Sequence, residues 1–191
     1  AALRAPNNVD PDPNDNSEKA KLTNEQIKTM EMMYSNYMFA TPLANGVKSF
    51  GMWLPNTQPD GMGLIDRSRY KGQEGAPENA RNHSQMGIVG VTGFLFRDLK
   101  GNPLDYVEGG PLNARRVELS KWLDTTDPNL TEFYKNGGKM IVTIGAMDNI
   151  ACPGAQLDYF ESVVNKLGRK TVDEFARFFV VPTGGHGLSG Q

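Results

Sequence analysis

This chain of 191 residues contains one cysteine, Cys152. A single thiol excludes an internal disulfide framework and a cysteine-based zinc site. Only two histidines are present, His83 and His186, so any metal centre would have to rest mainly on carboxylates. No apolar run approaches the roughly 18 residues that a membrane-spanning helix needs. Twenty basic residues against 22 acidic ones leave a formal charge of −2. That balance offers no electrostatic footing for nucleic acid or anionic lipid. The chain opens Ala1-Ala2-Leu3, without an initiator methionine or the apolar core of a signal peptide. The expectation is a processed product or an excised piece of a longer protein.

Glycine and proline are abundant instead. The 21 glycines and 12 prolines exceed the roughly 12% combined usage of ordinary chains and predict much irregular backbone. Residues 1–20 are loop chemistry, dominated by Pro, Asn and Asp. Asp10, Asp12 and Asp15 are spaced like part of a calcium loop, but no turn glycine or terminal glutamate follows. A solvated loop is expected there. Thr23 and Gln26 have capping-box spacing, so a helix should start near Thr23, with an apolar stripe of Ile27, Met30, Met33/Tyr34 and Tyr37. From Ala40 to Gly110 the periodicity is poor, and turns recur as in Pro59-Asp60-Gly61-Met62-Gly63 and Gly72-Gln73-Glu74-Gly75. Such a stretch reads as a cap laid over other structure. Within it, Ile88 to Phe96 is the most strand-like part, and a helix is expected to follow with Ala114, Val117 and Trp122 on one side.

The last third of the chain changes character. Met140-Ile141-Val142-Thr143-Ile144 reads as a buried strand. Pro153 opens an amphipathic helix carrying Leu157, Phe160, Val164 and Leu167, and Gly168 stands where a terminating glycine belongs. Thr171 and Glu174 have a second capping-box spacing, and Phe178-Phe179-Val180-Val181 reads as another buried strand ended by Pro182. Strand, helix and strand at these intervals make a βαβ unit with a right-handed crossover. Two parallel strands do not make a sheet by themselves, which again predicts a missing N-terminal part.

In a parallel sheet, ligands and catalytic groups gather beyond the C-terminal strand ends. Asp148 follows the first strand in Gly145-Ala146-Met147-Asp148-Asn149, and His186 follows the second in Pro182-Thr183-Gly184-Gly185-His186-Gly187. A carboxylate and an imidazole on adjacent strand tips can hydrogen-bond, the acid fixing the imidazole tautomer. They fit the last two places of the chain order Ser, Asp, His that α/β-hydrolases use. The nucleophile is absent: no Gly-x-Ser-x-Gly occurs. Gly46-Val47-Lys48-Ser49-Phe50-Gly51 is one residue too long, and Ser189 comes after the histidine. Cys152 follows the acid and adjoins Pro153, and it reads as a small unreactive side chain. His83 reads as a surface residue.

The stretch from Thr126 through Asp127-Pro128-Asn129-Leu130-Thr131-Glu132-Phe133 to Gly137-Gly138-Lys139-Met140-Ile141 resembles the lead into the penultimate core strand of tannases and feruloyl esterases. Their following turn is matched by Gly145-Ala146-Met147-Asp148 and their next helix by Asp158-Tyr159-Phe160-Glu161-Ser162-Val163-Val164. Their ending is matched by the run from Val172 to His186. Upstream, Leu22-Thr23-Asn24-Glu25-Gln26 and Leu43-Ala44-Asn45-Gly46-Val47 are similar to parts of the family's lid. The resemblance implies an α/β fold: the last βαβ unit of an α/β-hydrolase core at 126–191, preceded by an irregular Gly/Pro-rich lid at 1–125. It implies Asp148 as triad acid and His186 as triad base. A serine would come from an N-terminal segment of the same protein, and the substrate would be a small aromatic ester of the galloyl or feruloyl type. It also implies lid contacts from residues such as Trp53, Phe94, Phe96 and Arg97. Export to the periplasm or medium follows, as does a structural calcium in the full-length protein with ligands upstream of Ala1. No cofactor, nucleic acid or membrane is expected. The family typically bonds a cysteine beside the nucleophile to one directly after the histidine, and here Gly187 stands in that second place. Two other readings use the same residues. One is a non-catalytic binding module or inactive fragment in which Asp148 and His186 are structural. The other is a metal-dependent hydrolase built on the Asp cluster at 10–15 together with a histidine.

Overall fold

The computed structural model describes residues 4–9, 11–12, 20–55, 57 and 90–188. The expected strand residues Ile88 and Val89, the turn-rich stretches at 59–63 and 72–77, His83, Ser189, Asp10 and Asp15 lie outside them.

Helix α1, Asn24–Met33, begins as its sequence requires. Thr23 Oγ1 accepts from the Gln26 N–H at 3.2 Å, and Gln26 Oε1 accepts from the Thr23 N–H at 2.6 Å, so two otherwise unpaired donors are satisfied. The helix stops at Met33. Tyr37, expected on its apolar stripe, instead starts strand β1, Tyr37–Met38, which pairs antiparallel with β2, Ser49–Phe50. Two-residue strands are too short for any hydrophobic period to show.

The run expected to be a strand up to Phe96 is a π-helix over Gly90–Phe96. A short apolar run suits a helical turn as well as a strand, and no strand lies beside it among the described residues. Arg115 Nε donates to the Phe94 carbonyl at 2.7 Å, meeting an acceptor at its C-terminal end. Helix α2, Asn113–Leu123, follows. Its inward side is not the one expected, since Trp122 is 70% exposed and Ser120 is buried. Ser120 Oγ accepts from the Ala44 N–H at 2.6 Å, and Arg116, one turn earlier, reaches back to the strand pair. The Glu108 carboxylate accepts from Arg116 at 2.6 Å, the Tyr106 hydroxyl at 2.9 Å and the Ala40 N–H at 3.0 Å. The Arg116 guanidinium also lies 4.5 Å over the Phe39 ring. Burial, then the bond to Glu108, pushes the Tyr106 phenol up to about 12. Polar contacts thus organise this upstream part, where hydrophobic periodicity is weak.

The C-terminal part is organised by its core. A short helix α3, Thr131–Lys135, precedes strand β3, Met140–Gly145. Helix α4, Pro153–Leu167, ends at Gly168 with φ +82°, a backbone angle that favours glycine. Helix α5, Arg169–Phe175, leads directly into strand β4, Ala176–Val181. The expected second capping box does not form, because α5 starts two residues before Thr171 with Gly168 at its N-cap. Glu174 is occupied elsewhere, accepting from the Tyr134 hydroxyl.

β3 and β4 pair in parallel, Met140 opposite Ala176 through Gly145 opposite Val181, with α4 as the crossover. Val163, Val172, Phe175 and Ala176 form the buried core. Tyr134 and Phe133 of α3 set their rings 5.4 and 6.0 Å from that of Phe175, and Phe160 of α4 lies 4.7 Å from Phe178. On the other sheet face Ile141 is 75% and Phe179 53% exposed, with no described element packed over them. Truncating Phe175→Ala removes the ring on which α3 rests. It should lower the free energy of unfolding by about 3–5 kcal/mol, read as a shift of the urea midpoint with unchanged slope.

Candidate active site

Parallel pairing brings the C-terminal ends of β3 and β4 together, and the backbone there is closer than most sequences allow. A Cβ on Gly145 would stand 2.1 Å from the Gly184 carbonyl oxygen, so only glycine fits. Beyond this crossing the two loops are joined by the Ala146 N–H on the Val181 carbonyl and the Met147 N–H on the Gly184 carbonyl, both at 2.9 Å.

Asp148 and His186 stand on these two loops, and the structure brings them into contact. His186 Nδ1 lies 3.2 and 3.1 Å from Asp148 Oδ1 and Oδ2. Asp148 Oδ1 also accepts the N–H groups of Ile150 at 2.8 Å and Ala151 at 2.9 Å, so the acid's orientation is set by its own turn. An ionised carboxylate only accepts, which assigns the proton to Nδ1 and leaves the Nε2 lone pair available. Asp148 is 5% exposed, whereas the His186 side chain is 44% exposed. A sheltered carboxylate thus holds an accessible imidazole, borne on a 3₁₀ turn over His186–Leu188 in which Gly187 has φ +63°.

The other sequence candidates are distributed differently. Cys152 is buried, its thiol donating to the Gly51 carbonyl at 3.0 Å, with the Met52 carbonyl at 3.3 Å. Burial pushes the thiol up, against the lowering pull of the Ala155 and Gly154 amides. It has the surroundings of a packed side chain rather than a thiolate nucleophile. Ser49 lies in β2, away from any strand-to-helix elbow. Trp53 and Phe96 are half-buried, Arg97 is exposed with φ +57°, and Phe94 is half-exposed. Of these four, Phe94 alone lines the cavity of about 800 Å³ between α2, the β1–β2 connection and α4, whose lining includes neither Asp148 nor His186. Among the described residues, no group of three His, Cys, Asp or Glu side chains could hold a metal, and no helix is long and apolar enough to cross a membrane.

One part of the site gave no sequence signal. Residues 51–55 and Thr57 pack on the acid loop and the start of α4. A Cβ on Gly51 would meet the Gly154 carbonyl carbon at 2.2 Å, and one on Gly154 would meet the Met52 carbonyl oxygen at 2.2 Å. Thr57 is buried, and its hydroxyl donates to the Ala146 carbonyl at 3.3 Å, while the Tyr34 hydroxyl donates to the Thr57 carbonyl at 3.4 Å. Neither Thr57 nor Gly154 belongs to a motif, and a contact across nearly 90 residues has no local pattern.

A parallel strand pair linked by a helix, with an acid and an imidazole in contact at its adjoining tips, places the chain in the α/β class. The chain belongs to the tannase and feruloyl esterase family, whose family model matches residues 7–191. An uncharacterised esterase of Agrobacterium fabrum is 32% identical over 169 residues, 87% of this chain and 30% of that protein. A crystal structure of an esterase from Aspergillus oryzae matches with a TM-score of 0.66 at 19% identity, covering 96% of this chain and 33% of the other. Feruloyl esterase B from the same organism matches with a TM-score of 0.61 at 19% identity, covering 97% and 33%. At that identity the structural likeness is one of fold. The chain spans about a third of the length of these relatives.

Because Cys152 is the sole thiol, its alkylation reports on this region directly. Iodoacetamide at pH 7 should leave the folded chain unmodified and label it fully in urea. Because the folded thiol is raised, its contribution to stability is complete below the unfolded value of about 8.5 and is lost as pH rises through the folded value. Cys152→Ala should therefore flatten part of the alkaline decline in urea midpoint.

Proposed function

We propose that this chain is the lid and the acid–base portion of a serine carboxylic-ester hydrolase with an α/β-hydrolase core. Its substrates on this reading are aromatic esters of the galloyl or feruloyl type. Residues 1–125 form the lid and 126–191 the end of the catalytic core. The observation that carries the reading is the Asp148–His186 pair on adjoining strand tips, in a chain of this family. The serine is assigned to a segment N-terminal to this chain. In support of that, the sequence has no Gly-x-Ser-x-Gly, the A. fabrum esterase is matched over 30% of its length, and the strand pair has an uncovered apolar face.

The chemistry follows from the pair. The serine hydroxyl proton passes to His186 Nε2 as the oxygen attacks the ester carbonyl, and the imidazolium then protonates the departing alcohol. His186 next takes a proton from water as its oxygen attacks the acyl-enzyme carbonyl, and the imidazolium returns that proton to the serine oxygen as the acyl bond breaks, freeing the acid and the serine. Asp148 stays ionised throughout, holding the tautomer and stabilising the imidazolium. Among the described residues no group of three His, Cys, Asp or Glu side chains could hold the calcium that the resemblance implies. Export to the periplasm or medium is part of the same proposal and rests on the family alone.

The test uses the longer polypeptide that carries the serine. Asp148→Asn and His186→Ala should each lower kcat on methyl gallate or methyl ferulate by about 10⁴-fold, while the isolated chain should hydrolyse neither. Near-normal turnover in either variant refutes the assignment.

A further inference from the structure

We infer that Thr57 and Gly154 are positioning residues for the acid of the pair, through which the lid residues 51–55 and 57 hold the Asp148 loop in register with His186. The inference rests on the proposed acid–base reading and adds residues to it that no motif marks.

The loop from Ala146 to Cys152 must present a carboxylate at a fixed place, and three things restrain it. On one side it is joined to the His186 loop by the Gly145–Gly184 crossing and the Met147 N–H bond to the Gly184 carbonyl. Inside the loop, Asp148 Oδ1 accepts from Ile150 and Ala151. On the remaining side the restraint comes from the lid. Thr57 Oγ1 donates to the Ala146 carbonyl, two residues before the acid. Four residues after the acid, the Cys152 thiol donates to the Gly51 carbonyl. Gly154 then lies flat against Met52, with no room for a methyl group. The acid loop is therefore held at one end by the Thr57 side chain and at the other by the Gly51 and Met52 backbone, and these residues are themselves secured by the Trp53 N–H on the Met33 carbonyl and the Tyr34 hydroxyl on the Thr57 carbonyl.

The Thr57 bond is buried, so the Ala146 carbonyl receives there a donor that water does not readily replace. Without it, the loop keeps its fold through the remaining bonds, and its freedom grows where the acid is carried. Small displacements of a catalytic group cost turnover far more than they cost ground-state binding.

The test is made in the longer serine-bearing protein, with each variant checked for a cooperative melt. Thr57→Val keeps the shape and removes the donor, and Thr57→Ser restores it. Thr57→Val should lower kcat on methyl ferulate on the order of 10-fold with KM within about twofold of the parent. Thr57→Ser should recover most of that loss. Gly154→Ala, if it folds, should lose on the order of 100-fold in kcat. Parent-like kcat in Thr57→Val overturns the inference, as does Thr57→Ser being as slow as Thr57→Val, since shape rather than the hydroxyl would then matter. Asp148→Asn is measured alongside. If it remains active, the acid–base reading itself fails. If it is inactive while Thr57→Val is not impaired, the positioning role alone fails.

Discussion

The parallel register of Met140–Gly145 against Ala176–Val181 is the constraint on which the rest of the site depends. It places two loops of unrelated sequence side by side and forces their backbones into contact at Gly145 and Gly184. Given that crossing, Asp148 and His186 need only short turns to meet. The register is held from one side by α4, through Phe160 on Phe178 and through Val163. A one-residue slip would exchange the faces of every β4 side chain. It would also separate the loops, so the apolar interior and the polar contact are linked.

The upstream part is assembled on different physics. Among its described residues few apolar side chains are buried, and its geometry is set by polar hubs such as Glu108, which gathers Arg116, Tyr106 and the backbone of Ala40. Burial alone would raise the Glu108 carboxyl, but the bonds from Ala40 and Tyr106 and the nearby Arg116 charge outweigh it and hold the group below the usual carboxylate range. A region organised in this way can have a defined shape with little hydrophobic pattern, which is why composition describes it poorly.

That difference explains what could be read from the sequence. The βαβ unit was legible because its periods are strong and its punctuation is chemical: Pro153 starts α4 and Gly168 ends it. The Thr23 capping box was legible because it is a local exchange of two hydrogen bonds. The contact of Asp148 with His186 followed from topology once the strands were placed, while its catalytic use remains a proposal. The π-helix at Gly90–Phe96 was not legible, because a seven-residue apolar run has no distinguishing period. The inward side of α2 was misread because the helix turns Ser120 and Arg116 inward, and Trp122 outward. Thr57 was invisible because its meaning lies in a carbonyl 89 positions away.

The two-stranded arrangement has one more consequence. Among the described residues β3 and β4 each have a single neighbour, so each presents a rim of unsatisfied amides and carbonyls next to Ile141 and Phe179. Such a rim is a template for any extended peptide with matching alternation. On the proposed reading, in which a serine-bearing segment adds further strands, that segment would occupy this rim. If that reading holds, a segment made first would have its strands ready to cover the rim as soon as β3 and β4 formed.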